Sequence, residues 1–138
     1  MTDNSFKILN KMLSKDHFSK WLGLNVLELS PGYCKLSLKV NEQMLNGFRI
    51  GHGGICFSIS DSALAFSANA KGKISYTLEA KSSYLQKVYE GDLLMAESKE
   101  ISSSNSKGVY RVEVKNQKNK LVFTLDGVVY STDEKWKV

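Results

Sequence analysis

Between Gly53 and Ala70 the chain carries a single charged residue, Asp61, among Ile55, Phe57, Ile59, Leu64, Phe66 and a background of alanine and serine. An isolated carboxylate in apolar surroundings is costly unless it is paired, solvated or protonated. Carboxylates perturbed in this way gather at functional sites without being confined to them. Taken alone, Asp61 reads equally well as a hydrogen-bonded structural residue. Gly51-His52-Gly53-Gly54 stands at the start of the same stretch. Glycines there let backbone N–H groups approach a ligand closely, and the first amides of a helix are unpaired and lie at the positive end of its dipole. Such amides polarise a carbonyl and stabilise a developing oxyanion. Each feature also has a plainer explanation: a glycine pair packs a helix tightly, a lone histidine is more often structural, and Asn46-Gly47 is first of all a turn. Their occurrence together, within the sixteen residues from Asn46 to Asp61, is what gives them weight.

Those residues need a helix to carry them. Residues 53–70 would form one about 27 Å long, and a helix apolar or small on every side calls for burial all round. Lys71-Gly72-Lys73 supplies its stop. Upstream, residues 5–22 predict an amphipathic helix: Phe6, Leu9, Leu13 and Phe18 recur near helical spacing, Lys7, Lys11 and Lys15 make a solvated stripe, and Gly23 ends the run. Cys34, Leu36, Leu38 and Val40 then alternate with lysine and serine as a half-buried strand, paired with residues 23–30 through Pro31-Gly32. Downstream, Ile74, Tyr76, Leu78 and Ala80 alternate with Ser75, Thr77, Glu79 and Lys81, which groups Thr77 with the polar face. Residues 93–101 fit a strand less well. Tyr110, Val112 and Val114 mark another, and Leu121, Phe123 and Leu125 open a last one running to about Tyr130. Turns fall at residues 90–92, 102–107 and 116–119. The order of helix, two strands, buried helix and four strands predicts an α+β domain over residues 1–138, with an antiparallel sheet curved around the long helix.

Composition narrows the function classes. The chain has 138 residues, 42% hydrophobic and 24% charged, with one proline, which is the profile of a soluble globular domain. Its net charge of +5 is not clustered with exposed aromatics, so nucleic acid is not the expected partner. A mild positive field does suit an anionic small molecule. No apolar run reaches the ~18 residues of a membrane span, and residues 1–20 lack a secretory apolar block, so a cytoplasmic location without membrane attachment is expected. Cys34 and Cys56 show neither metal nor redox spacing and read as small buried residues, while His17 and His52 stand far apart, so no metal site is expected. The absence of Gly-x-Ser-x-Gly sets aside a serine hydrolase of the α/β type.

Met44-Leu45-Asn46-Gly47, His52-Gly53-Gly54 and the run from Phe57 to Asn69 together resemble the signature of the phenylacetyl-CoA thioesterase family of hotdog proteins. Trp21-Leu22-Gly23, Gly32-Tyr33-Cys34, Thr77-Leu78-Glu79, Tyr84-Leu85 and Gly91-Asp92 also match, so the resemblance runs from about Asp16 to Ser131. It implies a hotdog fold, protomers paired edge to edge, and a common doubling to a homotetramer. It also implies hydrolysis of an acyl-CoA, with coenzyme A entering only as part of the substrate and no further cofactor. Asp61 corresponds to the family's nucleophile or general base and Gly53 to the amide that polarises the thioester. Asn46 and His52 would order the site, and Gly54 and Thr77 are substrate-side positions, Thr77 standing where the family has a hydroxyl that positions water. Gln86-Lys87 departs from the Arg-Pro of many members, which leaves open the basic residues that hold the coenzyme A phosphates.

Geometry adds an expectation. Asp61 lies eight residues beyond Gly53, hence about 12 Å along one helix. A carbonyl about 3 Å from both groups does not span that gap. Asp61 should therefore complete the site of a partner chain, in a homodimer with shared active sites. Within the same substrate class two alternatives remain open: a hydratase or dehydratase in which a histidine and a carboxylate move protons on an acyl thioester, and a non-catalytic acyl-CoA-binding module. The acyl group, aryl-acyl or medium-chain, is not legible.

Overall fold

The computed structural model describes residues 3–138; Met1 and Thr2 of the expected domain lie outside the described residues. Helices α1 (Asp3–Leu13) and α2 (His17–Leu22) precede strands β1 (Asn25–Ser30) and β2 (Tyr33–Lys39). After a short 3-10 turn at Glu42–Met44 come helix α3 (Gly53–Asn69) and strands β3 (Lys73–Tyr84), β4 (Leu93–Ser104), β5 (Lys107–Lys115) and β6 (Leu121–Lys135). The strands form one six-stranded antiparallel sheet in the order β1-β2-β4-β5-β6-β3. Its inner face holds Leu36, Leu38, Leu94, Ala96, Val112, Val114, Phe123 and Leu125, and these close on Ile59, Ala63 and Leu64 of α3. A single long helix cradled in a curved antiparallel sheet is the hotdog arrangement. Among the described residues no helix is long and apolar enough to cross a membrane.

Five expectations need correction. The helix expected over residues 5–22 is two helices. Asp16 caps α2, its carboxylate accepting from the Ser19 N–H at 2.9 Å and from the Ser19 hydroxyl at 2.6 Å. Lys15 therefore falls in the break and leaves the lysine stripe; Gly23 ends α2 with φ +69°, as expected of a left-handed cap. Next, Ser102–Ser104 belong to β4, and the hairpin turns tightly at Asn105-Ser106. Strand β6 also extends past Tyr130 to Lys135, so that Trp136 closes over the end of α3: its N–H donates to the Gly72 carbonyl and its Nε1–H to Asn69 Oδ1, both at 2.9 Å.

The fourth correction bears on the site. Strand β3 does not alternate as its sequence suggests, because a bulge lies between Thr77 and Glu79. Before it, Ser75 and Thr77 pair with Ser131 and Val129 and face α3; after it, Ala80, Ser82 and Tyr84 pair with Gly127, Leu125 and Phe123. Tyr76 and Leu78 point outward and are 58% and 54% exposed. Thr77 is thus turned toward the helix rather than grouped with Glu79 and Lys81. Nor is α3 buried all round in this chain, the fifth correction: Gly54, Phe57, Ser58, Asp61, Ser62 and Ala65, at helical spacing, form a stripe that is exposed or only half-buried, left open by the sheet.

Candidate active site

The approach to α3 is a loop stiffened by Asn46. Its Oδ1 accepts from the Phe48 N–H at 2.9 Å and from the Ile50 N–H at 3.4 Å, while its own N–H donates to the Ile50 carbonyl at 2.8 Å. The loop is clamped at its exit, where the Gly51 N–H reaches the Val88 carbonyl and the His52 N–H reaches Met44 O. His52 is the N-cap of α3: its Nδ1 accepts from the Gly54 N–H at 2.9 Å, and its carbonyl accepts from the Ile55 N–H at 2.9 Å. Capping by an imidazole nitrogen does the work that serine or aspartate oxygen does elsewhere.

This leaves the Gly53 N–H. Among the described residues it has no hydrogen-bond partner, and it stands at the positive end of a 17-residue helix. It borders a cleft of ≈ 360 Å³ whose walls include Asn46, His52, Cys56, Tyr84 and Lys87. A Cβ at position 53 would lie 3.1 Å from Cε1 of Tyr84, so that ring would have to give by a few tenths of an ångström. Tyr84 also donates its hydroxyl to the Gly53 carbonyl at 3.2 Å, and its ring meets buried Phe123 edge-on at 5.0 Å.

Two turns further along α3, Asp61 lies half-buried on the stripe that the sheet leaves open. Thr77 Oγ1 donates to Asp61 Oδ1 at 3.2 Å across the gap between α3 and β3. Burial pushes the Asp61 carboxyl above the ordinary carboxylate range, and the Thr77 hydroxyl acts in the opposite sense. The structure thus gathers Asn46, His52, Gly53 and Gly54 at the helix start and Asp61 with Thr77 in a second group. The two groups are separated by eight residues of one helix, about 12 Å along its axis. The Gly54 amide is engaged by His52 and is not available to a ligand in this arrangement. Tyr84 and Lys87 are wall residues that spacing arguments did not single out. Tyr84 meets Gly53 across 31 residues of chain, a contact made only when β3 folds back along α3.

Comparison with known proteins places this geometry. The model of the thioesterase superfamily matches residues 49–123. A protein of Archaeoglobus fulgidus, named provisionally as an esterase, is 36% identical over 93% of this chain and 83% of its own length. The acyl-coenzyme A thioesterase PaaI of Escherichia coli is 29% identical over 92% of this chain and 91% of its own. The solved structure of E. coli PaaI, from the phenylacetic acid degradation operon, superposes with a TM-score of 0.92 at 27% identity and covers 96% of both chains.

Proposed function

The chain belongs to the thioesterase superfamily in its hotdog form, and from that premise we propose that it hydrolyses an acyl-CoA, carrying an aryl-acyl or medium-chain acyl group, to the free acid and coenzyme A. The observation that carries the proposal is the unpaired Gly53 amide, which stands at the positive end of α3 and borders a cleft beside His52. An amide so placed donates to the thioester oxygen and stabilises the oxyanion that grows there.

The carboxylate comes from Asp61. Since Asp61 lies about 12 Å from Gly53 along one helix, the partner's Asp61 serves the cleft of the first protomer. It either attacks the carbonyl carbon to give an acyl anhydride that water then cleaves, or takes a proton from the attacking water. In both routes the C–S bond breaks, electrons pass to sulfur, and coenzyme A leaves as its thiolate. Thr77 holds the carboxylate and presents a hydroxyl for water. The uncovered stripe of α3 and the free edge of β3 support a homodimer, with a dimer of dimers as its expected doubling. Coenzyme A enters as part of the substrate and no other cofactor takes part in the scheme; the cytoplasm is the compartment that suits such a substrate.

Thiol release, followed with a thiol-reactive dye across a panel of phenylacetyl-, benzoyl- and medium-chain acyl-CoA, tests the proposal. Turnover of at least one member is expected. Binding without thiol release from any of them would leave a carrier module in its place.

A further inference from the structure

We infer that Tyr84 is a positioning residue of the site: its hydroxyl, the peptide unit joining Gly53 to Gly54, and His52 Nδ1 form one hydrogen-bonded chain that fixes the imidazole as the Nε2–H tautomer. The Tyr84 hydroxyl donates to the Gly53 carbonyl at 3.2 Å, and the N–H of the same peptide unit, that of Gly54, donates to His52 Nδ1 at 2.9 Å. Because a peptide carbonyl and its N–H share one resonance system, a donor on the oxygen makes the N–H a better donor in turn.

The consequence follows from the inventory of an imidazole. An N–H directed at Nδ1 requires a lone pair there, so the neutral ring carries its proton on Nε2. His52 lines the cleft together with Gly53, and its Nε2–H, left free by the cap, is a second donor available to that cleft. The ring then has no free lone pair. A histidine base, the requirement of the hydratase alternative, would have to break the cap of α3 to take a proton.

Tyr84 is 59% exposed and is held from one side. It pairs in register with Phe123 of β6 and packs its ring edge-on against that buried side chain. The ring fills the space a Cβ at position 53 would need, so Tyr84 and the absence of a side chain at Gly53 are two parts of one fit. The catalytic consequence rests on the proposed thioesterase reading, whereas the tautomer does not.

The test separates the two. Imidazole 15N spectra of a His17→Gln protein, in which His52 is the remaining histidine, should show the Nε2–H form with Nδ1 shifted by an accepted hydrogen bond. Adding Tyr84→Phe, which keeps the ring and removes the hydroxyl, should move the Nδ1 signal toward that of a free acceptor. The same substitution should lower kcat about three- to tenfold with KM within about twofold, the size expected for one hydrogen bond. An Nδ1–H tautomer in the parent overturns the inference, as does a Tyr84→Phe protein whose Nδ1 signal and kcat are both unmoved. A parent that releases no thiol from any acyl-CoA overturns the functional reading, and the nitrogen spectra still decide the inference.

Discussion

Asp61 carries its charge against its surroundings, since burial raises its pKa and the Thr77 hydroxyl opposes that only in part. The sign of the linkage follows. The folded protein holds this proton more tightly than the unfolded chain, so the stabilisation is complete at low pH and is lost as pH rises through the folded value. Asp61→Asn should therefore melt above wild type at pH 7, with the gap closing as pH falls from the raised folded value toward the ordinary carboxylate range. The same substitution should lower thiol release by about two or more orders of magnitude, and a rate within about threefold of wild type would remove Asp61 from the mechanism. In the wild type, the acid limb of kcat/KM against pH should lie above the value of an ordinary aspartate. A limb at or below that value would mean that another group controls the rate. At Gly53, alanine would press on the Tyr84 ring at 3.1 Å. Alanine keeps the N–H but should displace it and crowd the thioester, lowering kcat, and if the donor is lost altogether the cost should reach about 2.7–4 kcal/mol in transition-state stabilisation. Unchanged turnover would reduce the glycine pair to a packing device.

Helix α3 is joined to the sheet through buried contacts and a few hydrogen bonds, the densest set of them made by one side chain at its C-terminal end. Asn69 Nδ2 donates to the carbonyls of Ala65 and Ser75, and its Oδ1 accepts from the Ser75 N–H at 3.0 Å and from Trp136 Nε1 at 2.9 Å. Removing it strands several buried groups at once. Asn69→Ala should lose about 2–4 kcal/mol in a denaturant titration; a loss under about half a kcal/mol would show that water replaces these bonds. The sequence made most of this scale legible. The limits of α3 were readable from Gly53 and Lys71, and β2 and β5 from strict alternation, because each buries one face against the core. Strand β3 was not, since one extra residue at its bulge inverts which side chains face the helix, and no local pattern announces that. The break between α1 and α2 did carry a signal, Asp16 three residues before Ser19, that periodicity overrode. Tyr84 escaped because its meaning depends on Gly53, far away in sequence. The uncovered stripe of α3 escaped because small residues read as apolar whether they face a core or a second chain.

At the scale of the whole molecule, one protomer has an unfinished surface. Strand β3 is an edge of the sheet, with Tyr76 and Leu78 exposed beside it, and the Thr77–Asp61 contact joins that edge to the uncovered stripe of α3. Long free edges of this kind invite pairing, and a two-fold axis perpendicular to β3 at that edge would pair two copies antiparallel and cover edge and stripe together. Such a dimer brings the partner's Asp61 toward the cleft at Gly53, which one chain cannot do over about 12 Å of straight helix. Shared sites are therefore the central claim, and subunit mixing tests them most directly. Asp61→Ala and Gly53→Val proteins, each inactive alone, are to be combined under conditions of verified subunit exchange. About half the dimers are then mixed, and one of the two sites in each receives an intact Gly53 and an intact Asp61, so thiol release should return to about a quarter of the wild-type rate. Exchange without any recovery would contradict the account, because it would mean that each chain carries its own complete site.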